Sequence, residues 1–283
     1  MDARRLCSIL MLLVACGSGK SALDEPEGAA RRDARLITDV YTWNCVDGTT
    51  GDEYQGVFAQ NISLEYAPNG LQALDLPSPG GCSSNLDMFP VDAGGDGREI
   101  PDLSGRPRWT NGVSSGELSE ENDGFYADDV FNNVHQCQDV ALTLGSGTTL
   151  SDAGVLTDLV APSSTAIPNV TFDGLTTDES TGAQTIEWGD EIVAAWEENE
   201  WDEVWVQIRR EREGEAWESV TCNATGEDSF SLNDEIWGLL DESLNVEQNN
   251  LYVAFQRSAE QELDSGDVGL GLTRAMAVAV VQD

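Results

Sequence analysis

Val204-Trp205-Val206-Gln207-Ile208-Arg209 decides the fold. Val204, Val206 and Ile208 alternate with Trp205, Gln207 and Arg209, a period of two that puts the aliphatic residues on one face of a strand. The same pattern recurs on both sides. Residues 191–196 read as a strand before it, and 217–222 as a strand after it. Further on, Leu251, Val253 and Phe255 alternate with Tyr252, Ala254 and Gln256, and 275–281 form a last strand of small and β-branched residues. Between these, residues 232–240 suit one helical turn or a corner. Short strands with turn signals between them predict an antiparallel sandwich over residues 169–283.

Upstream, VAPSSTAIP (160–168) carries two prolines among small residues and reads as a linker. Residues 40–160 hold short apolar stretches, such as 57–64 and 140–144, separated by emphatic breaks at 77–81 (PSPGG) and 92–97 (DAGGDG). That grammar predicts an irregular β-rich domain. The expected fold class is therefore all-β, with two β-rich domains, the C-terminal one a sandwich.

The C-terminal pattern resembles an Ig-like or fibronectin type III domain. Trp196 ends an early strand, a Val-Trp-Val strand follows a loop, and a strand bearing Tyr252 precedes a last apolar strand. The resemblance implies a fold and says almost nothing about function.

The N-terminus says where the protein resides. Arg4 and Arg5 precede an apolar run, residues 6–14, of signal-peptide length and far below the roughly 20 residues of a membrane span. It ends in Leu13-Val14-Ala15-Cys16, which resembles the lipobox of bacterial lipoproteins. The resemblance implies that residues 1–15 are removed and that Cys16 carries the lipid anchor. Gly17 in the next position favours the outer membrane. Residues 16–39 are small, polar and mixed in charge and read as a flexible tether.

Charge narrows the partners. The chain has 52 acidic residues against 14 Lys and Arg, and Lys20 is its sole lysine. Without residues 1–15 the balance is 51 acids to 12 bases, a net charge of −39. Such a surface repels phosphates, which argues against nucleic acid as a partner. It fits a salty habitat, where screening relieves self-repulsion. Besides Cys7 and Cys16 the chain has Cys45, Cys82, Cys137 and Cys222, an even set that predicts disulfides in an exported protein. Cys45 with Cys137 is the preferred pair, which leaves Cys222 as a free thiol or a bridge between the halves.

No catalytic constellation emerges. Gly112-Val113-Ser114-Ser115-Gly116 matches a nucleophile-elbow motif, but β grammar surrounds it, and the sole histidine, His135, follows closely. A Gly/Ser turn is the plainer reading. Asp92, Asp96, Glu99 and Asp102 echo a calcium loop, yet Gly94 and Leu103 stand where ligands are required. A looser Ca2+ site is the only cofactor reading left. Trp201, among acids, and Trp205, opposite the valines, are candidates for exposed rings that stack on a glycan or protein ligand. The expectation is an exported, lipid-anchored protein that binds or displays; the alternatives are an envelope hydrolase acting on glycans and a purely structural envelope protein.

The charge yields a first prediction. The Debye length falls from about 10 Å at 0.1 M to about 3 Å at 1 M salt. The mature protein should therefore melt several degrees higher in molar NaCl than in dilute buffer, and KCl should act alike. A midpoint that salt does not move in thermal denaturation would refute the screening account.

Overall fold

The stretch from Val204 to Arg209 lies within a strand, as its alternation predicts, but both faces of that strand are buried. The computed structural model describes residues 33–46, 53–67, 77–84, 106–122, 125–131, 147–163, 168–177, 184–197, 201–212, 215–243, 248–263 and 268–282. The fold is all-β. The first half contains β1 (Asp33–Val46), β2 (Glu53–Ala67), β3 (Cys82–Ser84), β4 (Arg108–Thr110), β5 (Ser115–Glu117) and β6 (Ser119–Asn122). It continues with β7 (Phe125–Phe131), β8 (Thr148–Ser151), a 3-10 turn at Gly154–Leu156, and β9 (Val160–Ala161). The second half opens with β10 (Val170–Asp173), β11 (Thr176–Thr177), β12 (Gln184–Glu187), β13 (Ile192–Trp196) and β14 (Glu203–Arg212). It ends with β15 (Glu215–Asn223), β16 (Ser229–Leu232), α1 (Asp234–Trp237), β17 (Gln248–Glu262) and β18 (Val268–Gln282). The helical turn α1 falls where residues 232–240 allowed one. Asn233 starts it, its side chain accepting from the Glu235 and Ile236 amides.

One long sheet runs through both halves, in the order β3-β15-β14-β17-β18-β1-β2-β7-β6, with β12 and β11 joining beside the end of β18. The central pairing, β1 on β18, is parallel and aligns Asp33 with Val268 through to Trp43 with Val278. Two small sheets lie on the same face of the long one. The order β10-β13-β16 covers the C-terminal part, and β5-β4-β8-β9 covers the N-terminal part.

Each small sheet closes its own core. Val206, Ile208, Leu251, Val253, Phe255, Ala277 and Ala279 of the long sheet pack with Val170, Ile192, Ala194, Trp196 and Leu232. Trp196 meets Phe255 edge-on, centroids 5.7 Å apart, and donates its indole N–H to the Glu227 carbonyl. The second core joins Leu36, Ile62, Leu64 and Tyr126 to Trp109, Leu150, Leu156, Leu159 and Ala161. The linker-like residues 160–168 therefore separate two cores but not two sheets. The same long sheet supplies one wall of both, and Arg31–Asp283 is one compact unit.

Close approach of β9 to β18 depends on glycine. A β-carbon on Gly271 would overlap the Val160 carbonyl. Polar side chains finish the junction. The Gln261 carboxamide bonds both the amide and the carbonyl of Val160, at 3.1 and 2.6 Å, in place of a strand partner. Thr38 donates to Thr148 across the same layer at 2.7 Å.

One expectation needs correction. Residues 33–39, placed in the tether, form the first half of β1 and pair on both sides. Ala34, Leu36 and Ile37 among them are buried, so a chain cut back to residue 40 would lose part of the core. Of the two fates left open for Cys222, a free thiol or a bridge between the halves, the structure shows the bridge, Cys82–Cys222. The Cys45 side chain and Cys137 lie outside the described residues, as does 140–144.

At the β1–β18 seam, Arg274 donates from Nε and Nη2 to the two carboxylate oxygens of Asp39, both at 2.6 Å, with both residues buried. Removing one partner strands a buried charge, which typically costs about 3–5 kcal/mol. We expect Asp39→Ala to lose stability on that scale in urea titrations. The Asp39→Ala/Arg274→Ala double variant should lose clearly less than the two single losses combined; full additivity would show that the pair is not coupled.

Candidate functional site

The strongest concentration of polar chemistry lies on the second face of the long sheet, opposite the two small sheets. Strand register builds it. Gln207 faces Thr221 and Tyr252, Gln256 faces Glu203 and Arg274, and Arg274 faces Asp39. Asp39, Gln207, Thr221, Asn223, Asn250, Gln256 and Arg274 are all buried there. Their hydrogen bonds are mostly mutual. Gln207 donates to Thr221 at 2.9 Å, and Gln256 to Glu203 at 2.7 Å. Buried polar groups are tolerable when paired in this way.

Electrostatics on this face favours retained protons. Burial, then the nearby Asp39 carboxylate, push the Tyr41 phenol well above its usual value, so it stays a neutral donor. Glu203 is raised chiefly by burial and by the neighbouring Asp202 carboxylate, partly offset by the Gln256 hydrogen bond. Toward the sheet's far side Glu65 is raised by burial against the pull of Arg35, its ion-pair partner at 3.5 Å. Among the described residues no three His, Cys, Asp or Glu side chains come together in a way that could hold a metal ion.

The two tryptophans singled out as ligand platforms occupy different surroundings from those expected. Trp205 is 1% exposed and packs among Tyr252, Ala254, Met276 and Val278, with Tyr41 beside it. The error is one of inference from alternation. A strand in mid-sheet can be covered on both sides, and then its second face is also core. Trp201 is half-buried and packs against the C-terminal core, 6.3 Å from Phe255. Acidic neighbours in sequence do not stop a ring from folding inward.

The remaining candidates separate cleanly. Cys16, Asp92, Asp96, Glu99, Asp102 and His135 lie outside the described residues. Ser114 stands exposed at a hairpin tip between β4 and β5. There Asn111 Oδ1 accepts from the Val113 and Ser114 amides at 3.0 and 2.7 Å, and Gly112 takes a positive φ of 83°. This is a turn built by an Asx side chain, and no helix follows the serine as a nucleophile elbow requires.

Sequence reasoning missed the buried arginines. Arg274 interrupts the apolar run 270–281, and Asp39 interrupts 36–43. A lone charge inside an apolar strand is the available signal, since it must find a partner to be buried. Arg210 is the other case. It is fully buried, its guanidinium lies 4.6 Å from the Trp188 ring centroid, and it donates to Asn249, Glu218 and the Asp241 carbonyl. Trp188 in turn contacts Trp237 at 4.8 Å.

No protein-family model matches the chain, and no curated protein matches it.

The raised Glu203 gives a signed prediction. A carboxyl whose folded-state pKa lies above its ordinary 4.5 binds protons more tightly in the folded protein. Its contribution to stability therefore falls as pH rises from about 4.5 through the folded-state value. Glu203→Gln removes that slope. The stability of the natural protein relative to Glu203→Gln should fall as pH rises across this window and level off above it. A difference that is flat with pH, in denaturant midpoints measured at a pH series, would contradict the burial of this carboxyl.

Proposed function

We propose that this protein is a lipid-anchored cell-envelope protein, held at the bacterial outer membrane, that binds or displays and does not catalyse. The observation that carries the reading is Leu13-Val14-Ala15-Cys16 at the end of a short apolar run behind Arg4 and Arg5. A disulfide between Cys82 and Cys222 suits an oxidising compartment. The described chain begins its first strand at Asp33, so 17 residues, Cys16 included, precede the body of the protein. They join the anchor to β1.

The Ig-like part of the reading draws support from strand order. β10-β13-β16 faces β15-β14-β17-β18, and β12 runs parallel to the end of β18. An Ig-type sandwich pairs its strands in such a pattern. Here β18 also pairs with β1 over its first eleven residues, which extends the sheet beyond a free-standing domain. The partners this role implies are the membrane, through the lipid, and a protein or glycan ligand. Trp205 no longer serves as its contact, being buried, and Trp201 is half-buried against the C-terminal core. The acidic surface argues against nucleic acid.

Metabolic labelling with palmitate tests the anchor. The natural protein should take up label and fractionate with outer membranes, and Cys16→Ser should remain an unlabelled, uncleaved precursor. Label retained in Cys16→Ser at the natural level would overturn the proposal.

A further inference from the structure

The outermost strand of the long sheet is a short one that does little packing. Among the described residues β3 pairs only with β15, as Ser84 with Val220, Ser83 with Thr221 and Cys82 with Cys222. Just before it, Gly80 donates its amide to the Asn223 carbonyl at 2.8 Å, and Asn223 returns its own amide to Gly81 at 3.0 Å. The Asn223 side chain adds a bond to the Pro77 carbonyl at 3.0 Å. A turn closed by the Gly81 amide on Ser78, with Gly80 at φ 79°, bends the segment back along the edge. Residues 77–84 are otherwise poor in apolar surface. Ser78, Pro79, Gly80 and Ser84 are exposed, and of the segment's residues only Cys82 packs against the C-terminal core. Without these residues β15 would present its free N–H and C=O groups as the edge of a sheet, the usual site of unwanted strand pairing.

We propose that residues 77–84 form a redox-sensitive strap over the β15 edge, locked by the Cys82–Cys222 disulfide and released when a dithiol reduces it. Accessibility sets the chemistry. Cys222 is 2% exposed and Cys82 is half-buried, so Cys82 Sγ is the sulfur an external thiolate reaches. Attack there breaks the Cys82–Cys222 bond, and Cys222 leaves as a thiolate and takes up a proton. The second thiol of the reductant then displaces Cys82, closes the reductant's own disulfide and leaves Cys82 as a thiol. Two electrons pass from dithiol to protein. The strap then keeps only its backbone and Asn223 bonds, each of modest net worth at an exposed edge. β14, β17 and β18 keep their ladders and their core, because no residue of theirs depends on the strap for pairing.

Amide hydrogen exchange read by mass spectrometry on the full-length protein in detergent tests this. The protein is compared oxidised, reduced with dithiothreitol, and as the Cys82→Ser/Cys222→Ser variant, which touches this bond alone. The expected result is at least tenfold faster exchange in peptides covering 77–84 and 216–223 in both reduced and variant protein, with β14, β17 and β18 unchanged. Protection of 77–84 that survives loss of the bond would overturn the proposal. Exchange that accelerates across the whole sheet, or a variant that fails to fold, would overturn it equally, since the bond would then be a global staple.

Discussion

The parallel pairing of β1 with β18 is the constraint on which the rest depends. It joins residues 33–43 to 268–278, so nearly all of the described chain lies in the loop it closes. Closing such a loop costs entropy before any contact repays it. Parallel strands also lack a turn to set their register. The buried Asp39–Arg274 pair does that here. A slip of one residue would turn Arg274 toward the apolar core and leave two buried charges unpaired, which is costly enough to exclude the alternative. Register at this seam then aligns every strand on either side.

A sheet fixed in this way offers one long face to be covered, and two small sheets share it. On β18, Gly269 and Gly271 let the segment around β9 approach the backbone. Gly271 is demanded by contact with the Val160 carbonyl, not by an unusual φ. The C-terminal core is closed at its end by Arg210, held between Trp188, Asn249, Glu218 and the Asp241 carbonyl. A guanidinium can be fully buried only because its donors are taken up in this manner.

These interior arginines change the meaning of the composition. Arg35, Arg209, Arg210 and Arg274 are each paired to a carboxylate and are buried or nearly so. They belong to the 14 Lys and Arg residues of the chain, so the outer surface is more purely acidic than the net charge conveys. Self-repulsion among surface acids and ion pairing within the sheet are thus separate effects. Salt acts on the first far more than on the second, because buried pairs are screened little.

By itself the sequence determined the strand class and much of the strand placement. Alternation at 204–209 and 251–256, and the apolar run at 275–281, correspond to β14, β17 and β18, because a period of two is a local property that any pleated strand must express. Asn111 and Gly112 likewise carry their turn in their own chemistry. Tertiary structure decided what lies opposite each residue. Alternation could not show that Trp205 joins an apolar cluster on the sheet's other face, that residues 33–39 are strand, that Cys82 meets Cys222, or that Asp39 meets Arg274. Each of these partners lies tens to hundreds of residues away or across a sheet, and a local pattern records a residue's own preference for burial but not the identity of what buries it.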